Sequence, residues 1–296
     1  MMSAWKRVLC LLGTLGAMHW AHADPVVQDP LQVCRDWILS EPFAERHPSR
    51  TQVISAQAAC MDGAITEASL QPLQAWIDAV PAQLQPLLVV RSGGGDAKHA
   101  IMLAEKLQAR KARVHVLDVC ASSCANYFFP GVSDRHADDG TLMLFHGGYN
   151  QSGLEEVREH FDAFLATPEG GVVTDPTAAW RGLEEDFRQM WARQDALYQR
   201  VGVNALIVHG LDAMEAGLDA QACGGRDPDD VEYFYFGAAL AQRLGMAPVS
   251  GQLADVPAHV QARVQALGRA TVVCKVPDAA LDGRLEAGQM GPTVAS

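Results

Sequence analysis

The sequence lacks several patterns that would assign a class of protein directly. After residue 23 it has no apolar run near the roughly 20 residues that a membrane-spanning helix needs, so we expect no membrane association of the remaining chain. It has no Gly-x-Ser-x-Gly elbow, which argues against an α/β-hydrolase, and no Gly-x-x-x-x-Gly-Lys-Ser/Thr loop, which argues against nucleotide binding. Cys-x2-Cys pairs and His clusters are also missing, so we expect no metal site and no cofactor.

Positive charge is scarce too. The chain has 23 Lys and Arg against 35 Asp and Glu, a net charge of -12. An acidic surface argues against nucleic acid or an anionic membrane as the partner.

The first residues have the pattern of an export signal. Lys6 and Arg7 precede a mostly apolar stretch at 8–18, and Ala21 and Ala23 give small residues just before Asp24. This pattern predicts a signal peptide over residues 1–23, with a mature protein that is periplasmic or secreted.

Six cysteines follow the predicted signal peptide, and an even number in an exported chain favours disulfides. Many pairings can be drawn, and neighbours in sequence are the simplest choice: Cys34 with Cys60, Cys120 with Cys124, and Cys223 with Cys274. Cysteines four residues apart reach disulfide distance where the backbone is helical, so a 120–124 bond would fix the turn between them.

Strand and helix patterns alternate from residue 51, which predicts right-handed crossovers and a mostly parallel sheet of the α/β class. The predicted strands are 51–59, 87–91, 114–119 and 141–145, with helices at 66–79 and 96–109. A more helical C-terminal part follows, with helices at 154–165, 178–201 and 237–244 and a strand at 231–236. We therefore predict an N-terminal extension at 24–50, one domain at 51–250 with an insertion near 149–176, and a loosely ordered tail at 251–296.

Two residues that could act together lie at the ends of predicted strands. Ser123 stands where a strand meets a helix, and His146 ends the next strand. A serine hydroxyl becomes nucleophilic when a base removes its proton, and the carboxyl ends of parallel strands bring such groups together. Ser122 is the adjacent competitor. A serine–lysine pair is the alternative, and Lys98, close to the glycine-rich turn, is the lysine placed for it.

Residues 87–148 resemble the proteolytic subunit of Clp protease and the wider crotonase superfamily. The resemblance rests on a strand that enters Ser92-Gly-Gly-Gly, on Ala-Ser-Ser-Cys-Ala at 121–125, and on a strand that ends in His146-Gly. It implies that Ser123 is the nucleophile and His146 the base, with the backbone N–H groups of Gly95 and Cys124 as the oxyanion hole.

The resemblance also implies an aspartate that orients the histidine. Alignment of the later pattern puts this position near Tyr233, with Asp230 and Glu232 beside it. We take Asp230 as the candidate, and Asp195, Asp212, Glu215 and Glu232 stay open.

From these features we expect an exported serine hydrolase, with peptidase activity favoured and a peptide or protein as substrate. The same donors could hold a coenzyme A thioester, as in crotonases, but an exported protein meets little coenzyme A. The alternative from another class is an inactive protein of the same fold that uses its cleft for binding. Whether the chain forms a homo-oligomer stays open.

Overall fold

The computed structural model describes residues 28–43, 49–268 and 270–286. The predicted signal peptide, residues 1–23, lies outside these ranges. None of the helices within them combines the length and the apolar character that crossing a bilayer requires.

A six-stranded sheet forms the centre of the described structure. Its strands are β1 (Arg50–Val53), β2 (Ala58–Asp62), β3 (Leu87–Ser92), β4 (Arg113–Ala121), β5 (Asp134–Ala137) and β6 (Leu142–Leu144). The order is β1-β2-β3-β4-β5, where β1 is antiparallel to β2 and the other pairs are parallel. β6 pairs with the carboxyl end of β4, beyond β5. The predicted α/β class with a mostly parallel sheet is therefore confirmed.

Helices cover both faces of the sheet, which is why its central strands are apolar at nearly every position. Helices α2 (Glu67–Ala79) and α3 (Ala97–Ala109) pack on one face, with Val90 and Val116. Helix α1 (Pro30–Leu39) packs on the opposite face, where its residues contact Val89 and Leu117. Because successive strand residues point to opposite faces, adjacent valines serve two different cores.

The remaining helices and strands follow β6 in the chain. They are α4 (Gln151–Leu165), α5 (Pro176–Val201), α6 (Leu206–His209), α7 (Leu211–Glu215), β7 (Val231–Phe236), α8 (Ala238–Arg243), α9 (Pro257–Ala266), β8 (Val272–Val276) and α10 (Asp282–Glu286). β7 and β8 form a small parallel sheet of their own. Phe145 and Phe234 exchange two backbone hydrogen bonds of 2.7 Å, which attach β7 to the chain just after β6.

Three sequence-based assignments differ from this structure. The strand predicted at 51–59 is a hairpin, because Ser55 Oγ accepts the N–H groups of residues 57 and 58 and turns the chain. β5 was not predicted because it has four residues, three of them polar. The region 251–296, expected to be a tail, contains α9 and β8, and β8 is held by pairing with β7 and by a disulfide at Cys274.

The six cysteines form the three disulfides expected from sequence order. Their S–S distances are 1.97 Å for Cys34–Cys60, 2.01 Å for Cys120–Cys124 and 2.04 Å for Cys223–Cys274. The first attaches α1 to β2, the second spans the turn after β4, and the third attaches β8 to the loop before β7.

A buried ion pair connects the N-terminal segment to the sheet. Arg91 on β3 donates to both oxygens of Asp62 on β2, at 2.8 and 2.9 Å, and both side chains are almost fully buried. The same guanidinium donates to the backbone oxygens of Ile38 and Glu41 at the end of α1. Arg50 donates to Asp62 from the other side. One carboxylate therefore holds two arginines that fix the end of α1.

Replacing this carboxylate should destabilise the fold. In Asp62→Ala, Arg91 keeps a buried charge, with the carboxylate of Asp118 3.9 Å away. Breaking a buried pair in this way costs about 3 kcal/mol or more of unfolding free energy. Urea unfolding measures it, with Glu184→Ala, which breaks a partly exposed pair with Arg188, as the control at about 0.5 kcal/mol. Equal losses in the two variants would contradict the role given to Asp62.

Candidate active site

Ser122 lies at the turn between β4 and a short π-helical segment, Cys124–Phe128. Its φ of 54° is in the left-handed region, which is uncommon for a residue with a side chain. Its N–H donates to the Leu144 carbonyl at 2.9 Å, and its carbonyl accepts from the Asn126 N–H at 2.8 Å. These two bonds hold the strained residue between β6 and the helical segment, an arrangement found at functional sites.

The glycine-rich turn after β3 packs directly against Ser122. Gly94 has a φ of +94°, and a Cβ there would lie 2.4 Å from the Ser122 Cβ. Gly95 has a φ of +143°, and a Cβ there would lie 2.1 Å from the Ile65 carbonyl oxygen. Both positions therefore require glycine, because a side chain at residue 94 would collide with Ser122 and one at residue 95 with the backbone of Ile65.

His146 follows β6 and contacts Ser122. Its Nε2 is 2.6 Å from Ser122 Oγ, so the imidazole can accept the hydroxyl proton when its own proton is on Nδ1. Asn126 fixes the backbone beneath the ring, since its Nδ2 donates to the carbonyls of His146 and Gly147 at 3.1 and 3.3 Å. The histidine of the predicted pair is thus placed as expected, but its partner is Ser122.

The prediction that Ser123 is the serine beside His146 is wrong. Ser123 is 2% exposed, and its Oγ is buried without a hydrogen-bond partner among the described residues. In this position the hydroxyl makes no hydrogen bond to His146. Both serines stand at the same strand–helix junction, and the left-handed φ of Ser122, which the sequence does not display, decides which hydroxyl faces the histidine.

Because Ser122 rather than Ser123 contacts His146, the backbone N–H groups expected to hold an oxyanion also change. The residue that follows Ser122 is Ser123, so its backbone N–H replaces that of Cys124, which does not line the cleft. Gly95 lines the cleft beside Ser122, as predicted. Within the described ranges, the N–H groups of Gly95 and Ser123 donate no hydrogen bond. Both unpaired N–H groups belong to residues that line the cleft with Ser122, and backbone donors of this kind can stabilise an oxyanion.

The predicted third residue, Asp230, is not at the histidine. It ends a short 3-10 turn, Pro228–Asp230, before β7 and is exposed. Phe234 is the β7 residue that pairs beside His146, and four residues of strand separate Asp230 from it by about 13 Å. The ring of Tyr233 lies next to the imidazole instead, edge to face with centroids 5.4 Å apart.

The other carboxylates considered also lie elsewhere. Asp195 accepts from His209 Nε2 at 2.8 Å, and Glu232 accepts from Thr271 at 3.1 Å. Asp212 and Glu215 are exposed on α7. In the part of the chain that the structure describes, no carboxylate is hydrogen-bonded to His146. Lys98 is not among the residues that line the cleft, and its half-exposed side chain lies 3.8 Å from Asp186.

The surroundings of His146 keep its imidazole neutral. Burial lowers the pKa of His146, and the backbone of Gly147 and the carboxylate of Glu156 raise it in part, so that the pKa stays below its usual 6.5. A neutral imidazole is the form that acts as a base. Glu156 belongs to α4, in the predicted insertion, and no motif marks it in the sequence.

A cleft of about 230 Å³ opens beside Ser122 and His146. The insertion forms one wall, where the rings of Tyr149 and Phe187 meet edge to face at 4.9 Å. Gln194 on α5, fully buried, fixes this wall: its Oε1 accepts from the Tyr127 hydroxyl and the Tyr149 N–H, both at 3.0 Å. The insertion at 149–176 and α5 are therefore parts of the site.

The described residues contain no group of His, Cys, Asp and Glu side chains arranged to hold a metal ion. No known family model matches the chain, and no curated protein matches it.

The lowered pKa of His146 sets the pH dependence expected of Ser122. Because the neutral imidazole persists below pH 6.5, the rate at which Ser122 reacts with an electrophile should fall only as the pH drops through that lower pKa. Glu156→Gln removes a charge that raises the pKa, so it should shift this acid limb to still lower pH. A profile of reaction rate against pH measures both effects. An acid limb above pH 6.5 in the wild type would contradict the assignment of His146 as the base.

The Cys120–Cys124 disulfide should matter more for reactivity than for stability. It closes a loop of four residues around Ser122, and loops this short contribute about 2 kcal/mol to folding. Without this disulfide the turn at Ser122 is held less accurately, and small misplacements of a reacting group cost about 10-fold or more in rate. The double variant Cys120→Ala/Cys124→Ala should therefore react at least 10-fold more slowly at Ser122.

The matched control is Cys223→Ala/Cys274→Ala, which removes a disulfide that closes a separation of 51 residues. It should cost about 4 kcal/mol of stability and leave the reaction rate of the folded protein unchanged. Equal reaction rates in the two double variants would show that the short disulfide does not position Ser122.

Proposed function

We propose that this chain is an exported serine hydrolase of the Clp/crotonase type, with Ser122 as the nucleophile and His146 as the general base. The observation that carries the proposal is the 2.6 Å contact between Ser122 Oγ and His146 Nε2, made by a serine in a left-handed turn. The three disulfides support an oxidising location such as the periplasm or the extracellular space.

The proposed reaction follows from the positions of these atoms. Ser122 Oγ attacks a carbonyl carbon while His146 Nε2 takes its proton, and the negative oxygen that forms is held by the N–H groups of Gly95 and Ser123. The protonated imidazole then gives its proton to the leaving group, which departs from the acyl-enzyme. Water, activated by the same histidine, attacks the ester and restores Ser122. A peptide bond is the favoured substrate.

Two features can carry part of the role that an aspartate has in a triad. Asn126 holds the backbone of His146 and Gly147, and Glu156 faces the imidazole from α4. The second candidate function, an inactive protein that binds peptides in the cleft, is favoured by the lack of a carboxylate hydrogen-bonded to His146 among the described residues.

The two adjacent serines provide a matched test. A fluorophosphonate probe at pH 8 should label the wild-type protein, and Ser122→Ala should abolish labelling because it removes the nucleophile. Ser123→Ala should retain labelling within about 3-fold, since the residue still supplies its backbone N–H. Intact mass and circular dichroism check labelling and folding. Labelling lost in Ser123→Ala but kept in Ser122→Ala would overturn the assignment, and no labelling of folded wild type would favour the binding protein.

A further inference from the structure

The charges around the cleft are of one sign. Glu156 is the one acidic residue that lines it, on the α4 wall across from Ser122, and no Lys or Arg is among the lining residues. His146, whose imidazole is the basic group of the lining, is neutral at neutral pH because its pKa is lowered. The base of the proposed reaction therefore adds no positive charge until a proton is transferred.

The rest of the lining is uncharged. Burial raises the pKa of Tyr149 to about 12 and raises that of Tyr127 further, so both phenols stay neutral. Together with Phe187, Val157 and Ala97 they give an apolar surface beside the serine.

The charged residues at the mouth of the cleft do not reverse the negative charge of its lining. Asp96 begins α3 next to Tyr149 and contributes to the raised pKa of that phenol, so a second carboxylate lies near the mouth. Lys98, in the first turn of α3, lies 3.8 Å from Asp186, whose charge offsets it. A negatively charged group that enters the cleft therefore meets repulsion from Glu156, while a positively charged one meets attraction.

We propose that the cleft accepts apolar and positively charged acyl groups, such as peptides with a basic or apolar side chain beside the scissile bond, and rejects negatively charged ones. This inference rests on the proposed function and names Glu156 as the residue that determines specificity. Glu156 is exposed, so water and salt screen its charge, and we expect a preference of about fivefold for each change of charge.

Three fluorophosphonate probes with chains of equal length test the inference. The chain of each probe ends in a different group: a trimethylammonium, a methyl or a carboxylate. In each reaction Ser122 Oγ forms a bond to phosphorus, the P–F bond breaks, fluoride leaves, and His146 takes the hydroxyl proton. Measurements at pH 8 keep His146 neutral in every variant, so differences in rate report on binding in the cleft.

The cationic probe should label wild type about fivefold faster than the neutral probe, and the anionic probe about fivefold slower, with both ratios reduced at 1 M salt. Glu156→Gln should bring the three rates together. The control is Glu159→Gln, which removes the same charge from an exposed position of α4 outside the cleft lining and should keep the wild-type ratios.

The outcomes separate the two proposals. If the neutral probe labels Ser122 but the three rates are equal, or Glu156→Gln leaves the ratios unchanged, the charge inference is wrong and the hydrolase proposal stands. If no probe labels the folded protein, the hydrolase proposal fails, and the inference fails with it.

Discussion

The left-handed backbone of Ser122 is the constraint on which the candidate site depends. It turns the chain from β4 into the helical segment so that the hydroxyl meets His146 at 2.6 Å, while the next hydroxyl, on Ser123, points into the protein. The turn is held by hydrogen bonds to Leu144 and from Asn126, and by the 120–124 disulfide around it. Such strain persists where the surroundings fix it from several sides.

The sheet explains why the groups meet. β3, β4 and β6 run parallel, so the glycine-rich turn, Ser122 and His146 follow their carboxyl ends at one edge. Gly94 approaches the Ser122 side chain closely, so the glycine-rich turn that carries Gly95 lies against the serine. The C-terminal half adds the other wall: Gln194 fixes the chain after His146, and α4 brings Glu156 to the cleft. The proposed catalytic pair and the residue proposed to determine specificity thus come from different halves of the chain.

Sequence patterns predicted the parts of this structure that depend on local periodicity. The apolar runs of β3 and β4 and the amphipathic α2 and α3 were recognisable because each pattern repeats within its own segment. β5 was not, because its residues are polar and its pairing is decided by β4. The choice between Ser122 and Ser123 depends on one backbone angle, and the neighbour of His146 depends on the register of Phe145 with Phe234. Neither property is local to the sequence, so the structure pairs His146 with Ser122 where the sequence favoured Ser123, and it brings Tyr233 rather than Asp230 to the imidazole.

The most direct test of the account is a crystal structure of the protein after reaction with a small neutral fluorophosphonate. The account predicts a covalent bond from phosphorus to Ser122 Oγ, with the phosphoryl oxygen within hydrogen-bond distance of the N–H groups of Gly95 and Ser123 and with His146 beside the adduct. A bond to Ser123 would contradict the account. So would an unmodified Ser122 in crystals of folded protein that has been fully exposed to the fluorophosphonate.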